Sequence, residues 1–458
     1  MPSLELEIEV WAGQQFGACD LGDERRTRRL VKLAAQTAAL PDGSTPQQTE
    51  CWADCKAAYR LFDRREVTFE AVCGPHWEQV GDQASGTWLL IGDTTEICIM
   101  REVSGLGPTG NGQGRGFFLH TSLMLNAESQ EVVGVAGAEL FHRQPIDSDE
   151  TKRASKNRPR ESEVWGRVIE RVGSPRGSAR FIHVLDAGAD NFEVFGHLYQ
   201  QQCGWVVRAA QRSRTVWDEA GAPRALLNLV QRQSLAGTYE LSLRAREKHA
   251  ARTAKIEVRF VRLRMPPPQA KTPWMKACGI TEIPMWAVEA REVDAPANVE
   301  PLHWVLLTSE AVDTFDDAWT ILGWYEQRPI VEDYHKCLKT GCRVEQRQYK
   351  ASQRLECVAG LLSIVAVRLL QLKFVARTDP ERPAARIVPR VWLRILQALR
   401  RQRKPIKTVG DFFRSLAMLG GFLGRKCDGQ PGWITIWRGF ETLNLCLRGI
   451  QLLPNKCG

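Results

Sequence analysis

Asp93, in TWLLIGDTTEICIM, and Asp186, in ARFIHVLDAGADNF, each follow an apolar run that reads as a buried strand. Glu332 lies in WYEQRPIVEDYHKCLKTG, among Tyr325, Arg328, Lys336 and Lys339. An acid buried at the end of an apolar strand is costly unless a cation offsets it. Carboxylates brought together from two strands and a helix can hold two divalent ions about 3.5 to 4 Å apart, the arrangement that drives phosphodiester hydrolysis and transfer. An all-oxygen set favours Mg²⁺, with Mn²⁺ as the substitute. Each acid alone also has an ordinary reading. Asp93 or Asp186 would serve as a turn or helix-cap residue, and Glu332 as the i, i+4 partner of Arg328.

If 325–339 is one helix, Tyr325, Arg328, Glu332, Lys336 and Lys339 fall within about 80° of one another, at roughly 100° per residue. On that face the arginine and lysines would grip phosphates beside the reacting one. Pro329 favours a helix start, so the helix carrying Glu332 is expected to begin there, which loosens the wheel for Tyr325 and Arg328.

Positioning these acids requires strands followed by helices. Residues 1–85 read as small helices, with Leu30, Leu33, Ala34 and Ala38 at helical spacing beneath an arginine-rich face of Arg25, Arg26, Arg28 and Arg29. From 86 the pattern turns to strands: a run through Asp93, then GFFLHTSLMLN and EVVGVAGAELF as a meander, then a strand ending at Asp186 and a helix, which is an α/β core. Alternation resumes at Tyr239, Leu241 and Leu243 and at Ile256, Val258 and Phe260, giving an antiparallel β insertion over about 210–310. A long helical stretch is expected over 312–375 and a basic helical tail over 376–458, with LGGFLGRKCDGQPGW as a loop. The expected domains are thus 1–85, 86–375 and 376–458.

The net charge of +9 and basic runs at 25–32, 152–160 and 394–407 point to double-stranded DNA as partner. The longest strongly apolar run, 360–372, contains Arg368 and is shorter than the roughly 20 residues that span a bilayer. MPSLELEIEV carries acids where an export signal would be basic, so the expectation is a cytoplasmic, nucleoid-associated protein without a membrane partner. The thirteen cysteines include no C-x-x-C pair, which fits reduced, mostly buried thiols better than zinc or disulfides.

Tyr325, two residues, Arg328, three residues, Glu332, six residues, Lys339 resembles the Y-(2)-R-(3)-E-(6)-K signature of bacterial cut-and-paste transposases of the insertion-sequence 4 family. LGDERRTRRLVKLAAQ, AAYRLF, GDTT, RGFFLHTSLML, WVLLTSE, HKCLKTG, SIVAVRLLQL and LGGFL extend the likeness over almost the whole chain. The resemblance implies a ribonuclease-H-like catalytic core with Asp93, Asp186 and Glu332 as a DDE triad holding two Mg²⁺ ions and no organic cofactor. It implies N-terminal helices that bind transposon ends, a C-terminal region that makes a homodimer in the synaptic complex, and cleavage through a hairpin before joining to target DNA. Tyr325, Arg328, Lys336, Lys339 and Arg208 would contact DNA, and Trp304 would receive a flipped base. The chain departs from the family at Pro329, where a second tryptophan is expected. Two other readings fit the sequence: a structure-specific nuclease on the same fold, and a domesticated DNA-binding protein that no longer cuts.

Overall fold

The computed structural model describes residues 4, 7–110, 112–144, 160–243, 251–297, 299–400, 405–425 and 428–452. Most of the basic run at 152–160, and 401–404 of the run at 394–407, lie outside the described residues.

The N-terminal segment forms α1 (Ile8–Phe16), α2 (Glu24–Ala39), α3 (Thr45–Gln48), α4 (Trp52–Leu61) and α5 (Phe69–Gly81). Asp23 starts α2 by accepting a hydrogen bond from the Arg25 amide at 2.9 Å, satisfying one of the donors a helix start leaves free. Leu30, Leu33, Ala34 and Ala38 face inward, which leaves Arg25 and Arg28 exposed and Arg26 and Arg29 partly so. Arg26 bonds the Leu21 carbonyl at 2.7 Å and approaches Glu66 at 3.2 Å, while Arg29 pairs with Asp54 at 2.5 Å.

Among the described residues, twelve strands make one sheet. β1 (Ser85–Cys98) runs unbroken through Asp93. It pairs antiparallel with β3 (Gly114–Asn126) and parallel with β5 (Ser178–Leu185). The small β2 (Gly107–Thr109) and β4 (Val132–Phe141) also pair with β3, and β6 (Gly204–Arg208) lies parallel to β5. The strands alternate between two cores. Leu89 and Ile91 of β1, with Ile182 and Val184 of β5, pack into one core, while Leu90, Phe181 and Leu185 pack into the other with Trp165 of α6 (Glu163–Val172) and Phe195 of α7 (Phe192–Gln200).

The insertion holds β7 (Thr215–Trp217), β8 (Pro223–Ala225), α8 (Leu226–Gln231), β9 (Gly237–Leu243), β10 (Arg252–Met265), α9 (Pro273–Ala277), β11 (Ile283–Val293) and β12 (His303–Thr308). It continues the core sheet instead of forming a separate one, because β12 pairs with β6 from Leu306↔Arg208 to Thr308↔Val206.

The helix carrying Glu332 begins at Pro329 as expected, while the continuous helical stretch expected over 312–375 is corrected. α10 (Phe315–Tyr325) ends at Tyr325, and α11 (Ile330–Lys336) starts after Pro329 and gives way to a wider turn over Cys337–Gly341. Proline lacks the N–H that would continue α10 and fits a helix start, so the chain re-nucleates there. α12 (Ser352–Thr378) follows and is long and apolar enough to cross a membrane, yet 89% of its most apolar window is buried by the rest of the chain. α13 (Arg390–Leu399), α14 (Val409–Leu419) and α15 (Trp433–Leu452) complete the fold. α14 and α15 touch backbone to backbone: a Cβ on Gly420 would lie 1.9 Å from the Thr435 carbonyl oxygen, and one on Gly439 would lie 1.9 Å from that of Leu416.

Arg347, buried to 4% exposure, staples the N-terminal helices to the core. Its guanidinium donates to the carbonyls of Gly43, Pro41 (2.6 Å) and Cys342 (2.7 Å) and to the Gln48 side chain at 3.2 Å. Seven of the eleven described cysteines are buried, and all eleven are free thiols.

Candidate active site

The register of β1 on β5 pairs Ile91 with Val184, so two residues further on Asp93 and Asp186 stand side by side and share the face of those two residues. Asp93 accepts from the Thr94 amide at 2.9 Å, and Asp186 turns the chain out of β5 by accepting from the Gly188 amide at 2.8 Å. Glu332 arrives on the first turn of α11, above the same face. The three acids meet at one guanidinium. Arg328 Nη2 lies 3.4 Å from Asp93 and 3.3 Å from Asp186, and Nη1 lies 2.7 Å from Glu332.

Burial pushes the Asp93 carboxyl up to about 6, with Asp186 and Glu332 acting in the same direction and Arg328 against it. Burial by itself would weaken the protonated form of Arg328, but the charges of Asp93, Asp186 and Glu332 outweigh it and raise the guanidinium above its ordinary value. The Arg328 Nε is buried without a hydrogen-bond partner.

The other expected DNA-contacting side chains do not share one face. Tyr325 is 6% exposed, lies close enough to Arg208 and Arg328 for their charges to act on its hydroxyl, and meets Trp304 edge-to-face at 5.5 Å. Trp304 is half-buried on β12, where it packs against Tyr325. Lys336 lies 3.5 Å from Asp333, and Lys339 lies 3.5 Å from Glu345. Glu345 in turn accepts from the Cys98 amide at 3.0 Å, tying the end of β1 to the segment after Glu332.

Three further residues around the site escaped the sequence reading. His335, one turn beyond Glu332 and 7% exposed, places Nδ1 3.8 Å from Asp93. Its i+3 spacing from Glu332 was the available signal. Lys373 of α12 holds Asp333 at 2.5 Å, a partner forty residues away that spacing does not reveal. Asp190 accepts from the amides of Ala210 (2.7 Å) and Gln211 (3.1 Å) and lies 2.7 Å from Arg214, clamping the loop that follows Arg208.

Residues 8–67 match the transposase DNA-binding family, and residues 364–453 match the Tn5 transposase dimerisation domain. Both ends of the chain are those of a Tn5-like transposase. The family match brackets α1 to α4 and the arginine face of α2, and at the other end takes in the second half of α12 through α15. Its DNA-binding and dimerisation domains make DNA and a second copy of the chain the partners of this Tn5-like transposase. A solved synaptic complex of piggyBac transposase with hairpin DNA is similar with a TM-score of 0.35 and 10% identity, over 78% of this chain and 67% of that one, a level that carries no argument about the site.

The three groups that contact Arg328 are carboxylates, the chemistry of a hard cation, with the His335 ring beside Asp93 and the guanidinium between the acids. As arranged, with the guanidinium between them, the acids form no ready-made metal cluster among the described residues. The donor set therefore fits Mg²⁺ or Mn²⁺ in chemistry.

Proposed function

We propose that this Tn5-like chain is an active cut-and-paste transposase on a ribonuclease-H-like core, with Asp93, Asp186 and Glu332 as its DDE triad. One observation carries the reading: carboxylates from β1, β5 and α11, separated by up to 239 residues in sequence, converge on a single cation. The strand order around them, an antiparallel meander joined through β1 to two parallel strands, supports the core assignment.

Two Mg²⁺ ions, when bound, would activate the attacking water or 3′-hydroxyl and stabilise the leaving oxygen. Asp93 and Asp186 would hold them from the rigid sheet and Glu332 from α11. Arg328, Lys336 and Lys339 would bind the flanking phosphates, each leaving the acid it now approaches. Arg208 at the end of β6 and Tyr325 beside it would add contacts to the same DNA. The arginine face of α2 would hold the transposon end. The exposed Ile434 (69%), Leu445 (65%) and Ile450 (50%) of α15 offer apolar surface to the second copy.

Purified protein is to be incubated with duplexes taken from the DNA bordering its gene, with Mg²⁺ or with EDTA. Mg²⁺-dependent double-strand cleavage at inverted repeats is expected. Binding of those repeats without cleavage would favour the domesticated DNA-binding protein.

A further inference from the structure

We infer that Arg328 is the internal counter-ion of the carboxylate site, and that it must be given up to phosphate before the site takes divalent metal. The inference rests on the reading of Asp93, Asp186 and Glu332 as metal ligands. It adds a competition between a side chain of this protein and the ions.

The geometry is that of a plug. One guanidinium lies within 3.4 Å of Asp93, 3.3 Å of Asp186 and 2.7 Å of Glu332. The side chain is 18% exposed, and its Nε is buried without a partner. A residue shaped only to meet DNA would point its fork outward. This one spends both terminal nitrogens on the acids and leaves its third buried nitrogen unsatisfied, a cost that the three ion pairs offset. The helix break at Pro329 makes the placement possible, because Arg328 sits in the turn between α10 and α11 and reaches back over Glu332.

The neighbouring lysines are held in the same way: Lys336 beside Asp333 and Lys339 beside Glu345. Arg328 differs in that its partners are the acids the chemistry needs. A guanidinium and a divalent ion compete for the same oxygens, so the affinity for metal is lowered by whatever Arg328 gains there. A phosphate beside the site offers the fork an equivalent bidentate partner. DNA binding then frees the carboxylates, and by reciprocity metal favours DNA. The device keeps a nuclease site unloaded until substrate is present.

The test measures Mn²⁺ binding to the intact, DNA-free protein by calorimetry and by the electron paramagnetic resonance of the free ion. Wild type, Arg328→Ala, Arg328→Lys, Asp186→Asn and Arg328→Ala/Asp186→Asn are compared, with thermal melts to show that each is folded. Charged hydrogen bonds of about 1.5–3 kcal/mol are released, so Arg328→Ala is expected to bind Mn²⁺ on the order of 10- to 100-fold more tightly than wild type. Arg328→Lys, a point charge without the fork, is expected to fall between them. A duplex from the DNA bordering the gene should raise the affinity of wild type by a larger factor than that of Arg328→Ala. Equal or weaker binding by Arg328→Ala, while Asp186→Asn removes binding, would overturn the plug and leave the metal site standing. Binding that Asp186→Asn does not weaken would overturn the metal site itself. An equal DNA effect on the two proteins would overturn the exchange with phosphate.

Discussion

Asp190 offers the clearest measure of how the loop beside the site is held. Its carboxylate is fully buried; it accepts from the amides of Ala210 and Gln211 at 2.7 and 3.1 Å and faces Arg214 at 2.7 Å, whose side chain is only 12% exposed. Arg214 also donates to the Asp190 carbonyl at 3.0 Å. Asp190→Ala removes the carboxylate of a buried pair: the Ala210 and Gln211 amides lose their acceptor, and Arg214 loses its counter-charge while keeping its bond to the residue 190 carbonyl. Such losses overlap, and breaking a buried pair from one side costs about 3 to 5 kcal/mol. If the loss is confined to the 209–214 loop, the opening equilibrium of its amides shifts on the order of a hundredfold or more, at about 1.4 kcal/mol per tenfold. Hydrogen exchange followed by mass spectrometry on peptides spanning 205–215 reads this directly. Asp190→Asn, which keeps a neutral acceptor, should fall between the two. Exchange in Asp190→Ala within about threefold of wild type would refute the clamp.

Arg347→Met keeps the bulk of a side chain that is 4% exposed but strands the carbonyls of Pro41, Gly43 and Cys342. About 3 kcal/mol or more of the attachment between the N-terminal helices and the core should be lost, seen as faster exchange at 40–48 and earlier proteolysis there. His76 is 3% exposed; its Nε2 accepts from the Val135 amide at 3.1 Å, and burial brings it down to about 4. A histidine depressed in the folded state contributes stability that is complete above its ordinary value of about 6.5 and is lost as pH falls through 4. The wild type should lose on the order of 3 kcal/mol across that window, and His76→Gln should flatten the loss. An unchanged acid profile in the variant would contradict it.

Much of the core was legible because period and burial agree. Leu89 and Ile91 against Leu90 gave a strand between two apolar layers, and Leu30, Leu33, Ala34 and Ala38 gave the inner face of α2. Pro329 marked where α11 begins. The single wheel over 325–339 failed at that same residue, since a face drawn through a helix break has no meaning. The insertion read as strands, but its pairing with β6 through residues 306–308 depends on contacts a hundred residues apart, which spacing does not encode. For the same reason Glu332 was visible as an acid among bases, whereas Arg328 reaching both Asp93 and Asp186 was not. The local pair Arg328–Glu332, the ordinary reading, is present as well, at 2.7 Å. Both readings hold at once because the arginine serves all three acids.

The most direct test of the central claim takes Asp93→Asn, Asp186→Asn and Glu332→Gln one at a time. Each is assayed for cleavage of the bordering inverted-repeat duplex in Mg²⁺ and, separately, for binding of that duplex. Cleavage reduced to background in all three, with end binding retained through α1 to α4, is the predicted result. Wild-type cleavage by any one of them would contradict the triad.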